Sequence, residues 1–126
     1  MLEIGMKDGK NVAVTASQKI EYLTVPDLVE KWDSTPGKIR RMIQQRQLAA
    51  RRIDGVLSIP LLFIDGSEPL PALQGTLVLL SDAGYSDEEA IDWLFSADAG
   101  MDIPPVEALR NGRKTEVRRV AQGLAF

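Results

Sequence analysis

Two arginines, a lysine and two glutamines lie within one short stretch of the chain. They are Lys38, Arg40, Arg41, Gln44 and Gln45. Cationic side chains neutralise phosphate, and arginine also forms paired hydrogen bonds with the O6 and N7 atoms of guanine. Glutamine makes the equivalent pair with adenine. The stretch therefore combines the charge that holds a nucleic-acid backbone with the flat donors that distinguish bases. The plain alternative is a solvated helix face without a ligand.

Local signals predict a helix just before this stretch. Thr24 and Asp27 have the spacing of a capping box, and Pro26 stands in the first turn, where its missing N–H is not needed. Apolar residues then recur at helical spacing as far as Trp32. We therefore expect a first helix that ends near Trp32.

The five polar side chains belong to a second predicted helix, over residues 36–45. Thr35 is its expected N-cap, and the free amides behind Thr35 suit a phosphate. Gly37 has no side chain, so the helix start can approach a ligand closely. The predicted buried stripe is Ile39, Met42 and Ile43. Two short helices joined by a brief turn form a helix-turn-helix unit.

A β-hairpin is predicted directly after the second helix. Residues 48–53 and 56–59 are strand-like, and Asp54-Gly55 between them favours a type I′ turn. Arg51 and Arg52 are neighbours on the first strand, so they point to opposite faces and need not share a role. This hairpin is the candidate wing, reaching DNA backbone or minor groove.

Charge is distributed unevenly along the chain. The net charge is −3, yet residues 35–58 hold a single acidic residue, Asp54, and six basic ones. The basic set is Lys38, Arg40, Arg41, Arg46, Arg51 and Arg52. If each met one phosphate, affinity for DNA would fall with salt with a log–log slope of roughly −5. The acidic excess lies in the second half, so an acidic pI does not oppose DNA binding.

The remaining chain is predicted to be helical. Gly, Ser and Pro mark a linker, and a capping box at Ser86 and Glu89 starts one of the later helices. We expect mainly α structure with a small β-hairpin wing, that is, a winged helix-turn-helix followed by a small helical C-terminal domain. The predicted units are a flexible tail (1–20), the winged helix-turn-helix (21–65), the linker (66–71) and the C-terminal domain (72–126).

The motifs of the first half resemble the excisionase/MerR type of winged helix. They are YLTVPDLVEKW (22–32), TPGKIRRMI (35–43), LAARR (48–52) and IP (59–60). The resemblance implies DNA binding through Thr35, Gly37, Arg46 and the residues already named. At the turn between helix and strand, where this type usually has glycine, the chain has Gln47 after Arg46.

The chain as a whole resembles small actinobacterial winged-helix DNA-binding proteins that carry a helical C-terminal domain of unknown role. The matching words lie at 75–77, 82–90, 93–95 and 115–122. Some members of this group are linked to Ser/Thr kinase signalling. The resemblance therefore suggests a Ser/Thr protein kinase as a partner, and Thr15 and Ser17 in the predicted tail as phosphorylation positions. A phosphate on either residue would add negative charge and oppose DNA binding.

Composition limits the alternatives. With no cysteine and no histidine, the chain has no disulfide, no thiolate metal site and no Ser-His-Asp triad. Carboxylates at Asp87, Glu88 and Glu89 are expected at a helix N-terminus on dipole grounds. We therefore predict no catalytic residue, metal or cofactor and no enzyme. Without a signal peptide or a membrane-spanning stretch, a cytoplasmic, nucleoid-associated protein is expected.

Two hypotheses of function remain. The first is a DNA-binding transcriptional regulator or nucleoid/architectural factor that binds double-stranded DNA. The second is a protein-interaction adaptor or antitoxin-like protein that acts through residues 72–126. The second arises because residues 90–94, 105–109 and 116–117 are similar to the toxin-binding domain of some antitoxins. No heptad pattern fixes an oligomeric state.

Overall fold

The computed structural model describes residues 20–125. Thr15 and Ser17, and all of the predicted tail except Ile20, lie outside them. The elements are β1 (Tyr22–Thr24), α1 (Val25–Trp32), α2 (Pro36–Gln44), β2 (Arg51–Ile53), β3 (Val56–Pro60), a 3-10 helix (Leu61–Phe63), β4 (Ile64–Asp65), β5 (Glu68–Pro69), α3 (Leu73–Asp82), α4 (Asp87–Leu94), α5 (Pro105–Arg110) and α6 (Lys114–Gly123). The described chain is thus helical with small antiparallel sheets, as predicted.

Local caps fix the first helix. The Thr24 hydroxyl accepts from the amide of Asp27 at 3.2 Å, and the Asp27 carboxylate accepts from the amide of Thr24 at 3.1 Å. These reciprocal bonds satisfy two amides that a helix start leaves free. The helix ends at Asp33, whose φ of 50° is left-handed. The capping box and the end near Trp32 are confirmed.

The second helix has an N-cap as predicted and a strained end. Thr35 accepts from the amide of Lys38 at 3.2 Å. At the other end Arg46 is left-handed, with φ 62°. The amide of Gln47 donates to Met42 O at 2.9 Å, and that of Arg46 donates to Ile43 O at 3.1 Å. This is a Schellman motif, which usually has glycine where Arg46 stands.

The hairpin β2–β3 forms around the predicted turn. Asp54 and Gly55 have φ values of 52° and 81°, as a type I′ turn requires. β3 pairs with β2 on one side and with β1 on the other, so the sheet order is β1-β3-β2. Strand pairing begins only at Arg51, because residues 48–50 are buried in the core instead.

The segment predicted as a linker, residues 66–71, is structured. It contains β5, which pairs with β4, and the indole N–H of Trp32 donates to Gly66 O in the intervening turn at 2.8 Å. Leu70 is buried. Its Gly, Ser and Pro residues therefore mark a tight hairpin and not a free tether.

Both halves of the described chain contribute to one apolar core. Ile39 and Ile59 from the first half belong to the same cluster as Leu77 and Leu94 from the second. At the seam the rings of Phe63 and Phe95 lie 5.9 Å apart between centroids. A chain of this length has little surface to bury, so a shared core is the more stable arrangement.

Polar contacts also join the two halves. The guanidinium of Arg110 on α5 donates to the carbonyl oxygens of Leu62 and Ile64 at 3.0 and 3.1 Å.

The Ser86–Glu89 capping box at the start of α4 is confirmed, with bonds of 2.9 and 3.2 Å. None of the helices within residues 20–125 is both long and apolar enough to span a membrane.

The left-handed conformation of Arg46 predicts a stabilising substitution. Arg46→Gly should raise the free energy of unfolding by about 0.5–1 kcal/mol, because a side chain costs about 1–2 kcal/mol there and the extra backbone entropy of glycine offsets part of the gain. Urea unfolding measures the difference. Arg46→Ala is the control, since it keeps the Cβ atom and should give no such gain. Equal stability of the two variants would contradict the explanation.

Candidate nucleic-acid interface

The outer face of α2 presents the predicted reading residues. Ile39 is fully buried and Met42 and Ile43 are half-buried, so this stripe holds the helix against the core. The exposed side chains are Lys38, Arg40, Arg41, Gln44 and Gln45. Helical periodicity puts Gly37, Arg41 and Gln44 farthest from the core. The structure therefore brings all five polar residues onto one accessible surface.

The cations of α2 are not neutralised by neighbours. Among residues 20–125, no carboxylate forms an ion pair with Lys38, Arg40 or Arg41, and the same holds for Arg46 and Arg52. Their charges are therefore available to phosphate. This distinguishes the surface from a helix face stabilised by internal salt bridges.

The start of α2 is open. A methyl group built on Gly37 would meet nothing within 4 Å, so a ligand can come close to the backbone. Beside it lies a cleft of about 270 Å³ lined by Thr35, Lys38, Trp32 and their neighbours. The Thr35 hydroxyl accepts from the amide of Lys38, so its oxygen already stabilises the helix. Its hydrogen remains free to donate to an incoming oxygen.

The two wing arginines have different surroundings. The Arg51 guanidinium donates to the Asp92 carboxylate on α4 at 2.9 Å and lies 3.6 Å from that of Glu88. Its side chain is only 19% exposed. Burial opposes its charge, but hydrogen bonds to Asp92 and Tyr22 outweigh this and raise the pKa of Arg51. The charge of Arg51 therefore ties the hairpin to α4, and the predicted DNA contact of Arg51 stays a prediction.

Arg52 faces solvent on the other side of the same strand. Its guanidinium donates to the carbonyl of Gly55 at 3.2 Å, which holds it along the hairpin turn. Ile53 and Val56, on either side of that turn, are 37% and 45% exposed. Sequence reasoning missed this apolar tip. The signal was present in the predicted turn, since residues beside a two-residue turn are too far out to reach a core.

Arg46 and Gln45 lie at the junction with the second half. Arg46 is half-buried and lines a small gap together with Ser81 and Tyr85. The carbonyl of Gln45 accepts from the side-chain amide of Gln74 on α3 at 3.0 Å. The end of α2 is therefore fixed by the C-terminal helices, a contact that sequence reasoning did not find.

The acidic cluster of α4 has structural contacts. Glu89 closes the capping box with Ser86, and Glu88 and Asp92 face Arg51. Among residues 20–125, no group of three His, Cys, Asp or Glu side chains could hold a metal ion. Trp93 of the antitoxin-like motif is 9% exposed and belongs to the core.

The contrast between Arg51 and Arg52 yields a matched test. Arg51→Ala should lower the free energy of unfolding by about 1 kcal/mol, since it removes a partly buried ion pair, whereas Arg52→Ala should cost less than about 0.5 kcal/mol. Both changes place alanine on the same strand, so their difference isolates the ion pair. Urea unfolding measures it, and the difference should shrink in high salt. Equal losses would contradict the assignment.

Comparison with known proteins identifies relatives over most of the chain. Residues 70–125 match the family described as "Rv2175c C-terminal domain of unknown function". The curated "DNA-binding protein Rv2175c" of Mycobacterium tuberculosis is 30% identical over 115 residues, covering 81% of this chain and 79% of that protein. The NMR structure of Rv2175c superposes with a TM-score of 0.76 at 28% identity, covering 85% of this chain and 82% of that one. The chain belongs to the Rv2175c family.

Proposed function

We propose that this protein binds double-stranded DNA through a winged helix-turn-helix made of α1, α2 and the hairpin β2–β3. The observation that carries the proposal is the exposed cationic and amide face of α2, whose cations have no carboxylate partner among residues 20–125. The name of the mycobacterial relative, a DNA-binding protein, supports it. The wing is the β2–β3 hairpin, and α2 is the element that enters the major groove.

The positions on α2 suggest separate roles. Arg41 and Gln44 lie one turn apart on the outermost stripe, so they are the residues best placed to reach base edges. Arg40 lies on one flank of that stripe, while Lys38 and Gln45 lie on the other. Flanking cations meet the phosphates that border the groove.

The helix start is suited to close approach. Gly37 allows the backbone to come near the DNA, and the Thr35 hydroxyl can donate to a phosphate oxygen. The positive end of the α2 dipole adds to the attraction. The predicted role of Thr35 and Gly37 is thus to seat the helix and not to read sequence.

The wing contributes through Arg52 and its apolar tip. Arg52 has the solvent-facing guanidinium of the strand and meets backbone or the edge of the minor groove. Ile53 and Val56 can pack against the sugars that wall the groove. Arg46, half-buried at the end of α2, serves the interface by holding the turn between helix and wing.

In the cell, the proposed role is that of a transcriptional regulator or nucleoid/architectural factor of the excisionase/MerR type, located in the cytoplasm on the nucleoid. A Ser/Thr kinase is the proposed regulator. Phosphate on Thr15 or Ser17, both outside the described residues, would add negative charge and weaken attraction to DNA.

We propose no enzymatic activity. The antitoxin-like alternative loses its main support because Trp93 packs inside the protein.

Binding to duplex DNA should depend on salt and on α2. With one phosphate each for Lys38, Arg40 and Arg52, these three cations contribute a log–log slope of about −3. Arg41→Ala should weaken binding about 5- to 150-fold, because a bidentate base contact contributes about 1–3 kcal/mol. Fluorescence anisotropy with a labelled mixed-sequence duplex of about 30 base pairs measures both quantities.

The matched control is Arg119→Ala, which removes the same charge from the outer face of α6. It should leave affinity and slope unchanged. Loss of binding to the same extent in both variants would indicate attraction by net charge alone and would overturn the role of α2.

Enrichment of defined genomic sites by the full chain would support a regulator, whereas uniform coverage would support an architectural factor.

A further inference from the structure

The last helix, α6, carries a basic stripe along one flank. Val117 and Ala121 are buried and hold α6 against the core. Lys114 and Arg118 are exposed and lie one helical turn apart, on the flank next to the buried side. The stripe is therefore accessible to a ligand while its helix is firmly packed.

Most other cations of the second half already have protein partners. Arg110 donates to two carbonyl groups of the first half. Arg113 pairs with Asp102 and Glu116, each at 2.7 Å. Within the described chain, residues 20–125, Lys114, Arg118 and Arg119 have no carboxylate partner. Their charge therefore serves no ion pair with the described part of the chain.

The guanidinium of Arg118 on α6 lies beside Gly75 on α3. A methyl group on Gly75 would lie 3.1 Å from Nη2 of Arg118. Glycine inside a helix is destabilising relative to alanine, so its lack of a side chain here needs a reason. The reason that the geometry offers is space for the Arg118 guanidinium, which lies directly over the first turns of α3.

Gln74 connects this guanidinium with the reading helix. It precedes Gly75 on α3, and its side-chain amide donates to the carbonyl of Gln45, the C-cap residue of α2, at 3.0 Å. The surface therefore runs from the end of α2 across the first turn of α3 to Arg118. Gln45, Gln74 and Arg118 are all exposed along it.

We propose that Arg118, assisted by Lys114, binds a phosphate of the same DNA duplex that α2 reads, so that the C-terminal half is part of the DNA interface. The inference rests on the proposed function. Arg118 has no carboxylate partner among residues 20–125 and lies on the surface that continues from the end of α2, so its guanidinium can reach the backbone that borders the groove proposed for α2. The contact adds affinity for any sequence and sets the depth and tilt of α2.

The test compares three single variants of the full chain on the same labelled mixed-sequence duplex. Arg118→Ala should make the log–log salt slope less steep by about 0.9 and weaken binding about eightfold at 0.1 M salt, as expected for one lost phosphate contact. Arg118→Lys keeps the charge and should restore the wild-type slope. Arg119→Ala removes an equal charge from the neighbouring position, which faces away from α3, and should change neither quantity.

The outcomes separate the two proposals. If Arg118→Ala binds like the wild type and Arg119→Ala while Arg41→Ala binds weakly, the phosphate contact is wrong and the DNA-binding function stands. If Arg118→Ala and Arg119→Ala lose the same amount, the effect is net charge and the specific contact is wrong. If the wild type shows no salt-dependent binding to the duplex, both proposals fail. Unfolding in urea, unchanged in Arg118→Ala, shows that the loss is not one of folding.

Discussion

The shared apolar core is the constraint on which the rest of the structure depends. Helices from both halves pack around the same cluster, which gives this short chain a larger buried core than either half could form by itself. This fixes α2 from two directions. Ile39 anchors its inner face, and the bond from Gln74 to the carbonyl of Gln45 holds its end. The base contacts proposed for α2 need such support, because they tolerate only small errors of position.

The basic side chains of this surface fall into two groups, one paired with acidic residues and one without such partners in the described chain. The acidic start of α4 engages Arg51 and thereby draws one side of the hairpin onto the C-terminal helices. Arg52 and the cations of α2 are left without internal partners in the described chain. The acidic half thus does not cancel the basic face. Its carboxylates at Glu88 and Asp92 pair with Arg51, the hairpin arginine that points inwards. Repulsion from its other carboxylates disfavours an approach of DNA from the acidic side.

The sequence predicted what is locally determined. Capping boxes at Thr24 and Ser86 and the Asp54-Gly55 turn act over three or four residues, so helix starts and the hairpin were found correctly. The bond from Trp32 to Gly66 and the bond from Arg51 to Asp92 were not found, because they join residues 34 and 41 positions apart. The β4–β5 hairpin is local, but its Gly, Ser and Pro residues were assigned to a linker. The left-handed residue at the end of α2 is Arg46, one position before Gln47, where the glycine of the excisionase/MerR type was expected. Spacing along the sequence could therefore place the polar face of α2 but not the contacts that fix the wing side chains.

The bond between Trp32 and Gly66 has an evolutionary consequence. Helix-turn-helix units are often joined to new partners through exposed linkers, where a crossover disturbs nothing. Here such a crossover would fall in the β4–β5 hairpin. The indole of Trp32 on α1 donates a hydrogen bond to this hairpin, and Leu70 directly after it is buried in the core. A recombined chain would have to replace both contacts at once. The first half and the helical C-terminal half are therefore expected to be inherited together and to diversify by substitution, not by exchange of domains.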